Sequence, residues 1–143
     1  MVARTPTRHR HRTPSVEVTG AVVAAAVGII GGDGVDALTV RRLAAEADVA
    51  PMTIYNRFTD MHGVLDAVFQ HGFSVFAQWL RGSGRGVDPI VDLHAMGVAY
   101  REFALANPEL YRFMFLHDLG EVEPSADAAM AAAQAFDSLF TVV

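Results

Sequence analysis

Apolar positions along the chain recur at helical spacing, and the two-residue alternation of a half-buried strand is nowhere sustained. A polar opening, MVARTPTRHRHRTP (1–14), has no apolar period and reads as an arm. From about Val16 to Gly31 nearly every residue is Ala, Val, Ile or Gly. That predicts a helix held by packing more than by propensity, because Gly20 and Gly28 weaken it. Ser15 or Thr13 is placed to cap it, and GGDG (31–34) to stop it. Thr39 caps a second helix to about Ala47, with Leu43, Ala44 and Ala47 on one face. After a break at Asp48–Ala50, Pro51 opens a third helix to about Arg57.

Thr59-Asp60 caps a long fourth helix, about Met61–Arg81, striped by Val64, Leu65, Val68, Phe69, Phe73, Phe76 and Leu80. GSGRGVDP (82–89) separates it from a fifth helix, Pro89–Ala106, whose apolar side is read as Ile90, Leu93, Met96, Gly97, Tyr100 and Phe103. Asn107-Pro108 starts a sixth, carrying Leu110, Phe113, Met114 and His117, and Gly120–Pro124 breaks the chain again. An alanine-rich last helix runs from Ser125 to Val143. The pattern predicts an all-α protein in three parts: a basic arm at 1–14, a three-helix unit at 15–60 and a helical domain at 61–143.

Composition sharpens this. With 52% hydrophobic and 19% charged residues in 143, the chain has enough apolar surface to fold. It has no cysteine, which excludes disulfides, thiolate catalysis and Cys-ligated metal. Every basic residue is arginine, and the formal net charge of −5 is unevenly divided. Residues 1–60 sum to +1 and residues 61–143 to −6, so a polyanionic partner would meet the N-terminal part. The basic start followed by Ala21–Ile30 imitates a secretory signal, but the apolar run is short for a membrane span, and the next segment needs this helix to pack against.

Ala44, Asp48 and Ile54 carry the chemistry. In a helix-turn-helix a small residue lets two helices touch, and the chain turns left-handed four residues later. A branched apolar residue six further on then pins the second helix to the first. Left-handed geometry costs a non-glycine residue roughly 1–2 kcal/mol, and Asp is among the least penalised. The segment LTVRRLAAEADVAPMTIYNRF, preceded by an apolar helix and GDG, resembles the DNA-binding domain of TetR-type transcriptional repressors. The matching residues are Gly34, Leu38, Thr39, Leu43, Ala44, Ala47, Val49, Thr53, Tyr55, Phe58 and Leu65. AYREFALANPELYRFMF (99–115) is similar to a segment of the family's ligand-binding domain.

The resemblance implies that Thr39 and Tyr55 bind DNA phosphates and that the third helix enters the major groove. Pro51, Met52, Thr53 and Asn56 would face the groove, flanked by Arg41, Arg42 and Arg57. Asn56 suits a bidentate contact to adenine, and Met52 and the Thr53 methyl suit thymine methyls. Where family members carry a turn glycine, a capping serine and a lysine at the fourth helix, this chain has Asp48, Ala50 and Met61, which predicts weaker binding on the same fold. The arginines of the arm, Arg4, Arg8, Arg10 and Arg12, are expected to add non-specific affinity. The resemblance further implies an operator-binding homodimer in the cytoplasm, with no membrane association.

In the second part the resemblance implies a cavity for a small apolar or amphipathic effector. Phe69, Phe73, Phe76, Met96, Tyr100, Phe103, Phe113, Met114 and His117 are its candidate lining; as isolated residues they equally suit a helical-bundle core. His71, His94 and His117 lack metal-ligand spacing, and no cofactor is expected. Asp88 and Asp92 read as surface acids, and no Ser, His and Asp arrangement suggests catalysis. Relative to the family the chain is expected to be short at its C-terminus, leaving a Phe136, Leu139, Phe140 and Val143 face free to pair. The alternative reading is a ligand- or protein-binding module with a vestigial head.

Overall fold

In a computed structural model of the chain, residues 15–83, 86, 88–116 and 124–142 are described, the last five by backbone alone. The arm at 1–14, His117, most of the Gly120–Pro124 break, and the side chains of Leu139, Phe140 and Val143 lie outside the described residues. The architecture is all-α. Its helices are α1 (Ser15–Asp33), α2 (Val40–Glu46), α3 (Pro51–Phe58), α4 (Met61–Arg81), α5 (Pro89–Ala106), α6 (Pro108–Phe115) and α7 (Ala126–Val142).

α1 runs through Gly31 and Gly32 and stops only at Gly34, two residues beyond the expected end. Gly34 takes φ 82, a conformation open to glycine, and donates its amide to the Ile30 carbonyl at 2.9 Å. A single 3-10 turn at Val35–Ala37 then leads to α2. By length and composition α1 would also suit a membrane span. In this fold Val22, Ala26, Ile29 and Ile30 bury one of its faces in the core.

α4 is the axis of the molecule, packed against α1, α3, α5, α6 and α7. At its near end Val64 and Val68 are fully buried; further along, Phe69, Phe73, Phe76 and Leu80 enter the same core. Gly72 permits close approach of α6, since a Cβ there would lie 2.6 Å from the Met114 sulfur. One continuous hydrophobic core runs from Val22 on α1 to Ala135 on α7.

Three sequence expectations are corrected in α5 and α7: the inward face of α5, the exposure of Asp92 and the freedom of Phe136. Ile90 and Leu93 are exposed, at 79% and 47%, whereas Met96, Ala99 and Phe103 are buried. α5 is apolar on more than one side, so spacing alone did not choose its inward face. Asp92 is a buried acid, with both carboxylate oxygens accepting the Gly86 amide at 2.8 and 2.9 Å. Asp88 is the cap of α5, accepting from the Ile90 amide at 2.9 Å. Phe136 is half-buried against Phe76 and Phe73, at ring-centroid distances of 5.5 and 6.3 Å, and so is not free to pair.

Candidate nucleic-acid interface and helical body

The turn between α2 and α3 is built as the spacing of Ala44, Asp48 and Ile54 predicts. Thr39 caps α2 by accepting the Arg42 amide at 3.2 Å. At the far end the Val49 amide donates to the Ala44 carbonyl at 3.0 Å and the Asp48 amide to Ala45 at 3.3 Å. That pair of bonds is the Schellman closure, which needs a left-handed residue between them; Asp48 supplies it at φ 53. Ala44 and Ile54 are buried at 3% and 0%, locking the two helices together. Asp48→Gly is therefore expected to stabilise the fold by roughly 1 kcal/mol or less, the relieved backbone cost being partly offset by a freer unfolded chain. A thermal melt that falls instead would show that the Asp48 side chain contributes more than its backbone strain costs.

With Ile54 turned inward, α3 presents Pro51, Met52, Tyr55, Asn56 and Arg57 outward, Met52 at 64% and Tyr55 at 48% exposure. Thr53 is half-buried. Ala50 gives α3 no side-chain cap. On α2, Thr39 and Arg41 are exposed. Arg42 is engaged with the Asp33 carboxylate at the end of α1, and Arg57 donates to the Ser15 hydroxyl at its start. Both ties were outside the reach of local spacing: Arg57 and Ser15 are 42 residues apart. They hold the guanidiniums of two of the three flanking arginines against α1.

The joint between α3 and α4 has its own geometry. The Asp60 amide donates to the Phe58 carbonyl at 2.7 Å, closing a three-residue turn around Thr59. Thr59 sits at φ 68, ψ −50, the rare positive-φ hand of the γ-turn, where a β-branched residue is strained. Asp60 then caps α4 through the Gly63 amide at 2.9 Å.

The eight candidate effector-pocket residues that are described converge in the core; the ninth, His117, lies outside the described residues. Phe69 meets Phe73 at 4.8 Å and Phe113 at 6.4 Å, and Phe76 meets Phe103 at 5.1 Å and Tyr100 at 5.5 Å. Met96 and Met114 are buried beside them. Phe115, which the sequence pattern did not single out, lies 5.3 Å from Phe73, 5.7 Å from Phe76 and 4.8 Å from Tyr111. The polar group in this cluster is a hydroxyl pair, Tyr100 and Tyr111, with oxygens 2.8 Å apart. Burial, then the Tyr111 hydrogen bond, pushes the Tyr100 hydroxyl up to about 12, so the Tyr100 phenol stays neutral.

A helix-turn-helix head continuous with a helical body defines a class of DNA-binding regulators, and family comparison agrees with that geometry. Residues 22–68 match the model of bacterial regulatory proteins of the tetR family, and residues 93–143 match the tetracyclin repressor-like C-terminal domain. The chain belongs to the tetR family of transcription regulators. A protein of unknown function from Rhodococcus sp. RHA1 has a similar structure, with TM-score 0.78 and 25% identity over 96% of this chain and 70% of its own. A TetR family transcription regulator from Marinobacter aquaeolei VT8 shares the fold at TM-score 0.71 and 23% identity, over 89% and 67% of the two chains. A possible TetR family transcriptional regulator from Streptomyces coelicolor A3(2) is similar at TM-score 0.61 and 25% identity, over 87% of this chain and 56% of its own. No curated protein matches the chain.

Proposed function

We propose that the protein is a cytoplasmic transcriptional repressor that binds a pseudo-palindromic operator as a homodimer and is released by a small, largely apolar or amphipathic effector. Residues 15–60 are its reading head, preceded by a basic arm, and residues 61–143 its effector and dimerisation domain. The observation that carries this reading is the outward face of α3, where Met52, Tyr55 and Asn56 stand exposed while Ile54 is buried at its back. An α-helix with such a face fits the major groove. A dimer would set two such helices about 34–36 Å apart, one turn of DNA.

Thr39, Arg41, Arg42, Tyr55 and Arg57 are assigned to phosphates, and Pro51, Met52, Thr53 and Asn56 to base edges. The ties of Arg42 to Asp33 and Arg57 to Ser15 pre-position both guanidiniums, reducing the rotamer freedom lost on binding. The effector is assigned to the aromatic cluster on α4, α5 and α6, entering by displacing rings already packed there, with the Tyr100 and Tyr111 hydroxyls as polar anchors. By linkage, operator DNA would weaken effector binding by the same factor that effector weakens operator binding.

The test is a gel shift on DNA selected by the protein from a random library. Tyr55→Phe combined with Arg42→Ala is expected to abolish the retarded band at moderate salt. Arg42→Ala alone is expected to lower the slope of log affinity on log salt by about 0.9, the signature of one lost phosphate contact. A verified dimer that selects no sequence at low salt would overturn the repressor reading.

A further inference from the structure

Asp66 lies on α4 one and a half turns past its start, and Ser125 immediately precedes α7, 59 residues along the chain. The Ser125 amide donates to Asp66 Oδ1 at 3.0 Å and the Ser125 hydroxyl to Oδ2 at 2.7 Å. Oδ2 also accepts Gln70 Nε2 at 3.0 Å. The Ser125 hydroxyl oxygen in turn accepts the Ala128 amide at 3.1 Å, so one side chain both caps α7 and holds it to α4. Burial pushes the Asp66 carboxyl up, but the Ser125 and Gln70 hydrogen bonds, with His62 nearby, outweigh it and leave the group below its ordinary 3.8. The carboxylate form is the one the clasp selects.

The clasp differs in kind from the rest of the α4–α7 interface. Ten residues beyond Asp66, Phe76 meets Phe136, eleven beyond Ser125, so the two helices run parallel and in register. Ring contacts of this sort are weakly directional and let one helix slide on another. Two hydrogen bonds from Ser125 to one carboxylate, itself steadied by Gln70 on the same helix, do not slide. Helical spacing of about 100° per residue puts Asp66 opposite Val64 and Val68, which are buried in the core. α4 is thus gripped from both sides within about two turns of its junction with α3.

We infer that Asp66, through Ser125, is the positioning residue that ties the start of α7 to the end of α4 next to α3, and so sets where the reading helix stands relative to the body. The inference rests on the repressor reading for its consequence, since a fixed α3 position matters to an operator. Displacing the first turn of α7 would move α4, and with it α3, without any ligand contact to the head.

Asp66→Asn keeps the shape but turns one acceptor oxygen into a donor that faces other donors. Ser125→Ala removes the hydroxyl bond and the α7 cap together, and Ser125→Thr keeps both. Because the chain has no cysteine, spin labels can be placed cleanly at Ala45→Cys and Ala129→Cys, with Gly20→Cys and Ala45→Cys as a pair within the head. In the full chain the 45–129 distance is expected to be single and narrow. Asp66→Asn and Ser125→Ala should broaden it, Ser125→Thr should restore it, and the 20–45 distance should not change. On unlabelled protein, Asp66→Asn is expected to lower affinity for the selected DNA about tenfold with an unaltered salt slope. If Asp66→Asn does not fold, Ser125→Ala carries both measurements. Unchanged 45–129 distances in the variants that fold would overturn the inference. Failure of the wild type to select DNA would instead sink the repressor reading while the distances still decide the clasp.

Discussion

Phe76→Ala is expected to cost about 3–5 kcal/mol and to lower the melting temperature by at least about 10 °C. Phe76 is fully buried on α4 and touches rings from three other helices. Tyr100 and Phe103 on α5 lie at 5.5 and 5.1 Å, Phe115 on α6 at 5.7 Å and Phe136 on α7 at 5.5 Å. Truncation would leave an apolar void where four helices meet, and the surrounding rings cannot all move inward. Because that void is apolar, benzene at millimolar concentration should bind it and recover part of the lost melting temperature. Phe76→Leu, which keeps most of the volume, should lose far less. Calorimetry on the three proteins, with and without benzene, decides it. A Phe76→Ala variant that melts with the wild type would mean the cluster is loosely filled and already open to a ligand.

Gly63→Ala is expected to be the most damaging single methyl in the molecule. A Cβ at Gly63 would fall inside the Phe58 carbonyl oxygen and 2.9 Å from its carbon. Both are backbone atoms, so no side chain can turn aside. That carbonyl also accepts the Asp60 amide in the turn at Thr59, and the Gly63 amide is what Asp60 caps. The added methyl would open the turn and the cap together, at a cost of about 3 kcal/mol or more. Gly28→Ala is the control: that glycine is exposed in mid-helix with nothing near its Cβ, so alanine there should stabilise by about 0.5–1 kcal/mol. Opposite signs in denaturant unfolding are the expected outcome. Equal effects would show that the α3–α4 joint relaxes freely.

Most of the helix plan was legible because its boundaries are written in local chemistry. Thr39 and Asp60 cap, Pro51, Pro89 and Pro108 open, and Gly34 closes, each acting within a few residues of itself, whereas the cap at Asp88 was read only as a surface acid. The face of α5 was not legible: with Ile90, Val91, Leu93 and Val98 apolar on several sides, no period singles out Met96 and Phe103, and burial of Asp92 depends on a loop amide. The ties of Arg42, Arg57 and Asp66 were also illegible, since each partner is set by tertiary packing. The groove-facing residues of α3 came from the family resemblance; of them Pro51, Met52 and Asn56 are exposed, whereas Thr53 is half-buried beside Ile54.

Thr59 gives the joint a mechanical meaning. α3, at eight residues, is about 12 Å long and is locked to α2 through Ile54, so the two helices move together about the joint at Thr59. A rotation of about 10° at Thr59 would carry the tip at Pro51 through roughly 2 Å, several times the tolerance of a base-edge hydrogen bond. On the proposed repressor reading, a small angular change at one strained residue is enough to carry the tip out of register with a groove.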